Sequence, residues 1–388
     1  MSKSKTDPVY ERLVDAALPV FAALAALLVG AVMLWLLNVN PLVAYRALWD
    51  GAFGSKNAVA ETLVKATPLL LVGLGISISF RGDVINIGGE GQMIVGALLG
   101  TLVGLNMVSA PGWLVIILAM LAGFLGGAIW GGIPGLLKAY FNVNEILSTV
   151  MMNAIAVQLM NFLLRGPMID PAQAELASKI PQTARLPDVF RLPRLVPTRL
   201  HLGALIAVVL AVLVYILLWR TTMGYRIRAV GQSPDASRYA GIKVKRYIVL
   251  ALILSGAFAG LAGVTQVYGV NYRMITDGSA SGFTGSAGFN GIVAALFGQL
   301  HPIGTIPASV LFGALLVGAN KMQRVVQVSS ALVTALNRLV VVFVVSSEIW
   351  RKRRQQRRLA AEGEDGDETR TRDSDPEVDP ESSEEVAS

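Results

Sequence analysis

Arg81-Gly82-Asp83-Val84-Ile85-Asn86-Ile87-Gly88-Gly89-Glu90-Gly91-Gln92-Met93 breaks an otherwise membrane-grade sequence. It lies between apolar stretches at 62–80 and 92–108. Carboxylates, two amides and four glycines are costly beside a bilayer. On insertion scales a carboxylate at the centre of a membrane helix costs about 2.5–3.5 kcal/mol. Irregular backbone at membrane depth survives only where protein buries it or water reaches it. The segment is therefore a candidate transport path rather than a plain loop.

The composition around it agrees. Of 388 residues, 54% are hydrophobic and 15% charged, against about 25% charged in soluble domains. With many apolar runs near the roughly 20 residues needed to cross a bilayer, this indicates an all-α polytopic membrane protein. There is no cysteine, which excludes disulfides, thiol catalysis and cysteine metal sites. His201 and His301 are far apart in sequence and read as boundary residues, not metal ligands. The run from Ala17 follows Lys3, Lys5 and Arg12. It exceeds the roughly 7–15 residues of a signal-peptide core and reads as a retained helix. Met-Ser-Lys at the start lacks the glycine that myristoylation needs.

Ten apolar segments can be drawn, near 17–37, 62–80, 92–108, 112–133, 146–164, 201–219, 247–268, 289–300, 303–320 and 325–349. Most can cross a core of about 30 Å at 1.5 Å per residue; 289–300 is too short and reads as a half-helix. The expected organisation is an N-terminal cytoplasmic segment at 1–16, a membrane domain at 17–350, and a basic then acidic tail at 351–388. Positive charge orients the bundle. Loop 220–246 holds Arg220, Arg226, Arg228, Arg238, Lys243, Lys245 and Arg246 against the single acid Asp235. Arg351-Lys352-Arg353-Arg354 follows the last segment. Both are expected on the cytoplasmic side, as are both termini. Loop 165–200 is then expected outside although it carries Arg165, Lys179, Arg185, Arg191, Arg194 and Arg199, only partly offset by Asp170, Glu175 and Asp188. Its prolines predict extended, irregular structure. From Ala360 on, acids, Ser and Pro dominate without aromatics, a composition expected to stay disordered.

Two internal patterns bear on packing. Ile94-Val95-Gly96-Ala97-Leu98-Leu99-Gly100 resembles Ile292-Val293-Ala294-Ala295-Leu296-Phe297-Gly298. Each follows a Gly-rich polar stretch, at 86–92 and 285–291, as in duplicated carriers with paired interrupted helices. Glycines recur every four residues at Gly96, Gly100 and Gly104, at Gly123, Gly127 and Gly131, and at Gly256 and Gly260. Such stripes let membrane helices approach closely.

No catalytic signature is present. The chain lacks the Gly-x-x-x-x-Gly-Lys-Ser/Thr phosphate loop, His-Glu-x-x-His and Gly-x-Ser-x-Gly. Without clustered acid–base groups a membrane enzyme is disfavoured. Acids near helix ends are few: Glu90, Glu145 and Glu61. A proton- or sodium-coupled carrier usually has more, so the energy for transport is expected from elsewhere. Ser233-Pro234-Asp235 reads as a helix start and Gly241 as its stop. Ala236, Ser237 and Ala240 would lie on the surface of that short helix. It serves either as a docking helix or as part of a positive-inside anchor.

Four stretches carry a family resemblance: Val84 to Met93; Asn144-Glu145-Ile146-Leu147-Ser148-Thr149-Val150-Met151-Met152-Asn153; Arg228 to Ile242; and Gly288-Phe289-Asn290-Gly291-Ile292-Val293-Ala294-Ala295-Leu296. Over roughly 60–345 the chain resembles permease subunits of ATP-binding-cassette importers, the family of ribose, branched-chain amino acid and nucleoside permeases, and most resembles the nucleoside branch. The resemblance implies a cytoplasmic ATPase gripping the 224–241 loop, a second homologous permease subunit completing the pore, and an extracytoplasmic substrate-binding protein. It implies no cofactor, metal or nucleic acid, and surroundings of membrane lipid. Asn86, Glu90, Gln92, Asn153 and Asn290 are the expected substrate-pathway residues; for the first three and Asn290, bracing the fold is an equal alternative. Gly224, Gly231, Asp235, Ala236, Arg238 and Gly241 are the expected coupling residues. A nucleoside is the expected substrate. A sugar such as ribose, a branched-chain amino acid, and a self-sufficient secondary carrier remain the alternatives.

Overall fold

The computed structural model describes residues 24–329 except 26, together with positions 335, 339, 342, 343 and 346. The start of the first apolar run, most of 325–349, the basic cluster at 351–358 and the acidic tail lie outside the described residues. Within them the chain is helical, and the only β pairings are two isolated bridges.

Helix α1 is described from Leu27 to Leu36. Then come α2 (Pro41–Phe53), α3 (Lys56–Arg81), α4 (Gly89–Asn106), α5 (Gly112–Phe141) and α6 (Glu145–Arg165). A short α7 (Pro171–Ala174) lies in the long loop, followed by α8 (Gly203–Arg220), α9 (Thr222–Gln232), α10 (Pro234–Tyr239) and α11 (Val244–Gln266). The set closes with α12 (Ala280–Thr284), α13 (Ala287–Phe297) and α14 (Pro302–Val326). By length and composition α3, α5, α6, α8, α11 and α14 suffice to cross a membrane. α13 is the expected half-helix. α2 was not among the expected segments. It is too short to cross, and Arg46 and Asp50 dilute its apolar character. Pro41 follows the Asn40 cap, and Ala44, Ala47 and Gly51 make its buried face.

Burial sorts the helices into centre and rim. The apolar windows of α3 and α11 are 83% and 72% buried, those of α5, α6 and α8 only 28–33%. Hydropathy cannot make this distinction, because a lipid-facing side is as apolar as a packed one. Small residues make it instead. Gly96 of α4 lies against Gly260 of α11, and Gly127 of α5 against Gly256 and Gly260. Gly131 meets Leu252 and Gly256. A Cβ at Gly96, Gly127 or Gly260 would overlap the facing backbone, so the stripes bring α4, α5 and α11 into backbone contact. The rim of α5 shows Trp113, Ile117, Leu121, Leu125 and Ile129 at four-residue spacing, all exposed, as a lipid- or subunit-facing side requires.

The loops divide between two ends. α9 and α10 lie with the C-terminus of α3 at one end, where Gly231 packs on Arg81. The loop 166–202 lies at the other, beside the N-terminus of α3, where Arg199 pairs with Glu61 at 3.4 Å. That loop is irregular, as its prolines predict, but firmly held. Thr183 N–H donates to Met274 O at 2.9 Å, Leu186 N–H to Tyr272 O at 2.8 Å and Leu192 N–H to Tyr268 O at 3.0 Å. Phe190 is fully buried beneath it. Part of its charge is neutralised locally: Arg191 pairs with Asp188, and the guanidinium groups of Arg185 and Arg191 lie over the Tyr272 ring.

Candidate functional site: a re-entrant segment tied to an interfacial helix

α3 ends at Arg81, with Gly82 N–H donating back to Ile78 and Ser79 carbonyls. Asp83 takes a left-handed φ of 55° and the chain turns back into the bundle. Asn86 then reaches Ser255, eleven residues into α11, about 17 Å along that helix. The extended piece 84–88 therefore re-enters the body, and α4 starts at depth.

Side chains satisfy the polar groups of this segment. Asn86 and Gln92 face each other as reciprocal amides, Asn86 Nδ2 donating to Gln92 Oε1 at 3.0 Å and Gln92 Nε2 to Asn86 Oδ1 at 3.1 Å. Asn86 also donates to Ser255 Oγ at 2.8 Å and accepts from Gly88 N–H at 2.8 Å. From α6, Asn153 accepts from Gly91 N–H at 2.8 Å and donates to Ile87 O at 2.9 Å. Ile87 N–H donates to Thr149 Oγ1 at 3.3 Å. Asn86, Gln92 and Asn153 are buried and their polar atoms are turned onto the protein, the condition under which non-helical backbone is tolerated at membrane depth.

The second glycine-rich stretch meets the first. Gly285 and Ser286 both have φ of 60°, and α13 starts at Ala287. A Cβ at Gly89 would lie 3.3 Å from Gly288 Cα, so the N-termini of α4 and α13 abut. Two helix N-termini carry like partial charge. Glu90 offsets it, its Oε1 accepting from Phe289 N–H at 3.2 Å. Asn290 is half-buried with no hydrogen bond from its side chain to a described residue, and Phe289 beside it is exposed. Of the five expected pathway residues, four thus gather at one junction, their polar groups engaged except Glu90 Oε2, which is buried without a hydrogen bond to a described residue. Asn290 stands at its open edge.

The short helix expected after Ser233 forms as α10. Ser233 caps it by accepting from Ala236 N–H at 3.2 Å, Pro234 occupies the first turn, and Gly241 follows with φ of +77°. Asp235, Ala236 and Arg238 are exposed. The expectation for Ser237 needs correction: it is buried, because its side of α10 faces the body. Tyr239 was not foreseen. It is 95% exposed, and a lone tyrosine at a helix end carries no sequence signal of that. Gly224 and Gly231 serve close approach. A Cβ at Gly224 would overlap the Leu217 carbonyl of α8, and one at Gly231 the Arg81 carbonyl. A Cβ at Gly231 would also lie 3.0 Å from Asp83 N. The loop of α9 and α10 therefore bears directly on the root of the re-entrant segment.

An aromatic–cationic cluster reinforces that end. Arg81 donates to the Leu300 and Gln299 carbonyls at 3.2 and 3.1 Å, which ties α3 to the α13–α14 turn. Arg81 and Arg228 lie over the Trp219 ring at 5.3 and 5.5 Å. His301 packs on Trp219 and Tyr215; burial there and the nearby Arg81 charge hold its imidazole below the usual range. His201 is at the other end, its Nδ1 accepting from Gly203 N–H at 3.1 Å. Among the described residues no three His, Asp or Glu side chains form a metal-binding group.

The sequence matches the family described as branched-chain amino acid transport system / permease component over residues 58–345, a span that includes the re-entrant segment, α10 and α13. The chain belongs to this permease family. The permease is 35% identical over 337 residues to the guanosine ABC transporter permease protein NupP of Bacillus subtilis (strain 168), covering 87% of this chain and 95% of that one. It is also 35% identical over 347 residues to the glucose ABC transporter permease protein TsgB13 of Haloferax volcanii, covering 87% and 88%. With the nucleoside ABC transporter permease protein NupB of Lactococcus lactis subsp. cremoris it shares 31% over 308 residues, covering 78% and 84%. No solved structure matches the permease.

Proposed function

We propose that the permease is a pore-forming subunit of an ATP-driven importer that carries nucleosides across the cytoplasmic membrane. The observation that carries the ATP-driven reading is the packing of Gly231 on Arg81 and Asp83. Force applied to α10 by an ATPase reaches the re-entrant segment through one layer of backbone. The chain itself holds no phosphate loop, so hydrolysis falls to a separate cytoplasmic subunit. Asp235, Ala236 and Arg238 meet that subunit, while Gly224, Gly231 and Gly241 give the loop its shape.

Positive-inside bias puts the α10 end in the cytoplasm and loop 166–202 outside. Arg165, Lys179 and Arg194 form no ion pair among the described residues, and a cavity of about 540 Å³ opens between Arg165, Lys179, Thr276 and Asp277. This face suits an extracytoplasmic binding protein. A second homologous permease completes the pore on the side where Phe289 is exposed and Asn290 half-buried. Glu90 and Asn290 border the path. Separation of α4 from α13 frees the Glu90 carboxylate to accept from a sugar hydroxyl or base N–H. Asn86, Gln92 and Asn153 act on the path by holding the segment that shapes it.

The nucleoside reading is supported by the guanosine and nucleoside permeases among the relatives. A sugar is the second reading, because a relative named a glucose permease is equally identical; both substrates present vicinal hydroxyls. Uptake of labelled guanosine, uridine, ribose, glucose and leucine in cells with and without this gene decides between them. Loss of guanosine and uridine uptake alone is expected. Loss of ribose or glucose uptake instead overturns the substrate.

A further inference from the structure

Beside α10 lies a cleft of about 470 Å³, lined by Tyr225, Arg226, Gly241, Lys243, Arg246 and Tyr247 among others. Its cations are exposed. Arg226 donates to Tyr247 Oη at 2.9 Å, which fixes its guanidinium at the rim. Lys243 and Arg246 have no ionic partner among the described residues, and no carboxylate lines the cleft. They flank the N-terminus of α11, where the helix dipole disfavours positive charge. Three cations thus converge where the local structure provides nothing to balance them.

The same chain carries the complement. Residues 361–388 hold twelve Asp or Glu against two Arg. Leu339 and Phe343 pack against the core cluster that includes α3 and α8, so the chain between α14 and the tail stays against the bundle at those two residues. Fully extended, the 28 residues of the tail reach about 90 Å, more than enough to span the α10 face. Tethering gives an effective concentration in the millimolar range, which favours the tail over an untethered anion.

We propose that the acidic C-terminal tail of this chain docks in the basic cleft beside α10 and competes with the ATPase subunit for that surface. The competition rests on the assignment of α10 as the ATPase-facing helix; the docking does not.

The chain lacks cysteine, so thiols can be placed at will. Lys243→Cys is combined in turn with Glu364→Cys, Glu377→Cys and Glu385→Cys in the full chain with its ATPase, in phosphatidylcholine vesicles. Oxidation by copper phenanthroline, which takes up the two electrons lost when two thiols become a disulfide, is followed by mass spectrometry. Docking predicts an intramolecular disulfide in at least one pair, formed several-fold faster than in pairs with Lys56→Cys at the opposite end and slowed several-fold by 1 M salt. Disulfide formation no faster than in the Lys56→Cys pairs overturns docking whether or not the protein transports nucleosides. Removal of residues 361–388 is expected to raise ATPase activity two- to five-fold, and Lys243→Glu with Arg246→Glu to do the same in the full chain but nothing further in the truncated one. A charge-reversal effect that needs phosphatidylglycerol and persists in the truncated chain assigns the cleft to lipid headgroups and overturns the proposal.

Discussion

Asn86 uses both amide hydrogens and both oxygen lone pairs on Gln92, Ser255 and the Gly88 N–H, and Gln92 makes its side-chain hydrogen bonds to Asn86. Removing one amide leaves the other short of partners in a buried site, which costs about 1–3 kcal/mol. Gln92→Ala is therefore expected to lower the melting temperature in detergent, and Asn86→Ala with Gln92→Ala to cost less than the two single changes added. At Gly231 the expected fault is steric. Gly231→Ala forces α9 off Arg81 at about 1–3 kcal/mol, and Gly231→Asp is expected to abolish uptake while membrane insertion, followed by membrane fractionation, persists. That these positions need an explanation was legible in the sequence, because they are glycines and amides between apolar runs. Their partners were not. Ser255 is one serine in an apolar helix, and nothing local marks it as the acceptor for Asn86.

α4 and α13 are the elements on which the proposed transport path turns. Their N-termini abut at Gly89 and Gly288, with the Glu90 carboxylate on the Phe289 N–H. Glu90→Gln keeps an acceptor and is expected to fold, losing about half the strength of a charge-assisted bond. Glu90→Ala leaves the part-buried Phe289 N–H without its acceptor and is expected to lose about 1 kcal/mol; melting curves of the two variants separate the cases. The paired glycine-rich helix starts were readable from the repeat at 94–100 and 292–298. That the starts touch was not, since both repeats predict a helix and neither predicts its neighbour. α10 was readable through Ser233, Pro234 and Gly241, yet Ser237 faces inward and Tyr239 outward. An exposed tyrosine is a frequent anchor in an interface. Tyr239→Ala and Ala236→Arg are each expected to weaken co-purification of the ATPase several-fold without changing the yield of the permease.

At the scale of the whole molecule, hydropathy located the crossing helices but not their places, because rim and centre are equally apolar. Glycine stripes carried that information, placing α4, α5 and α11 in backbone contact. The arginines of 165–200 conflicted with simple charge counting. They lie at the end opposite α10, several of them paired with Asp188, Glu61 or the Tyr272 ring. In the proposed function this one bundle has a face for an ATPase, a face for a delivery protein, and a re-entrant segment between them that the first face moves. The most direct measurement is uptake of labelled guanosine into proteoliposomes that hold this permease with its partner permease and ATPase, supplied from outside by the binding protein. ATP is enclosed, and the comparison is with a non-hydrolysable analogue and with the ATPase omitted. The account predicts accumulation only with ATP and the complete assembly, lost again with Gly231→Asp. Accumulation that proceeds without the ATPase would make the chain a self-sufficient carrier and contradict the account.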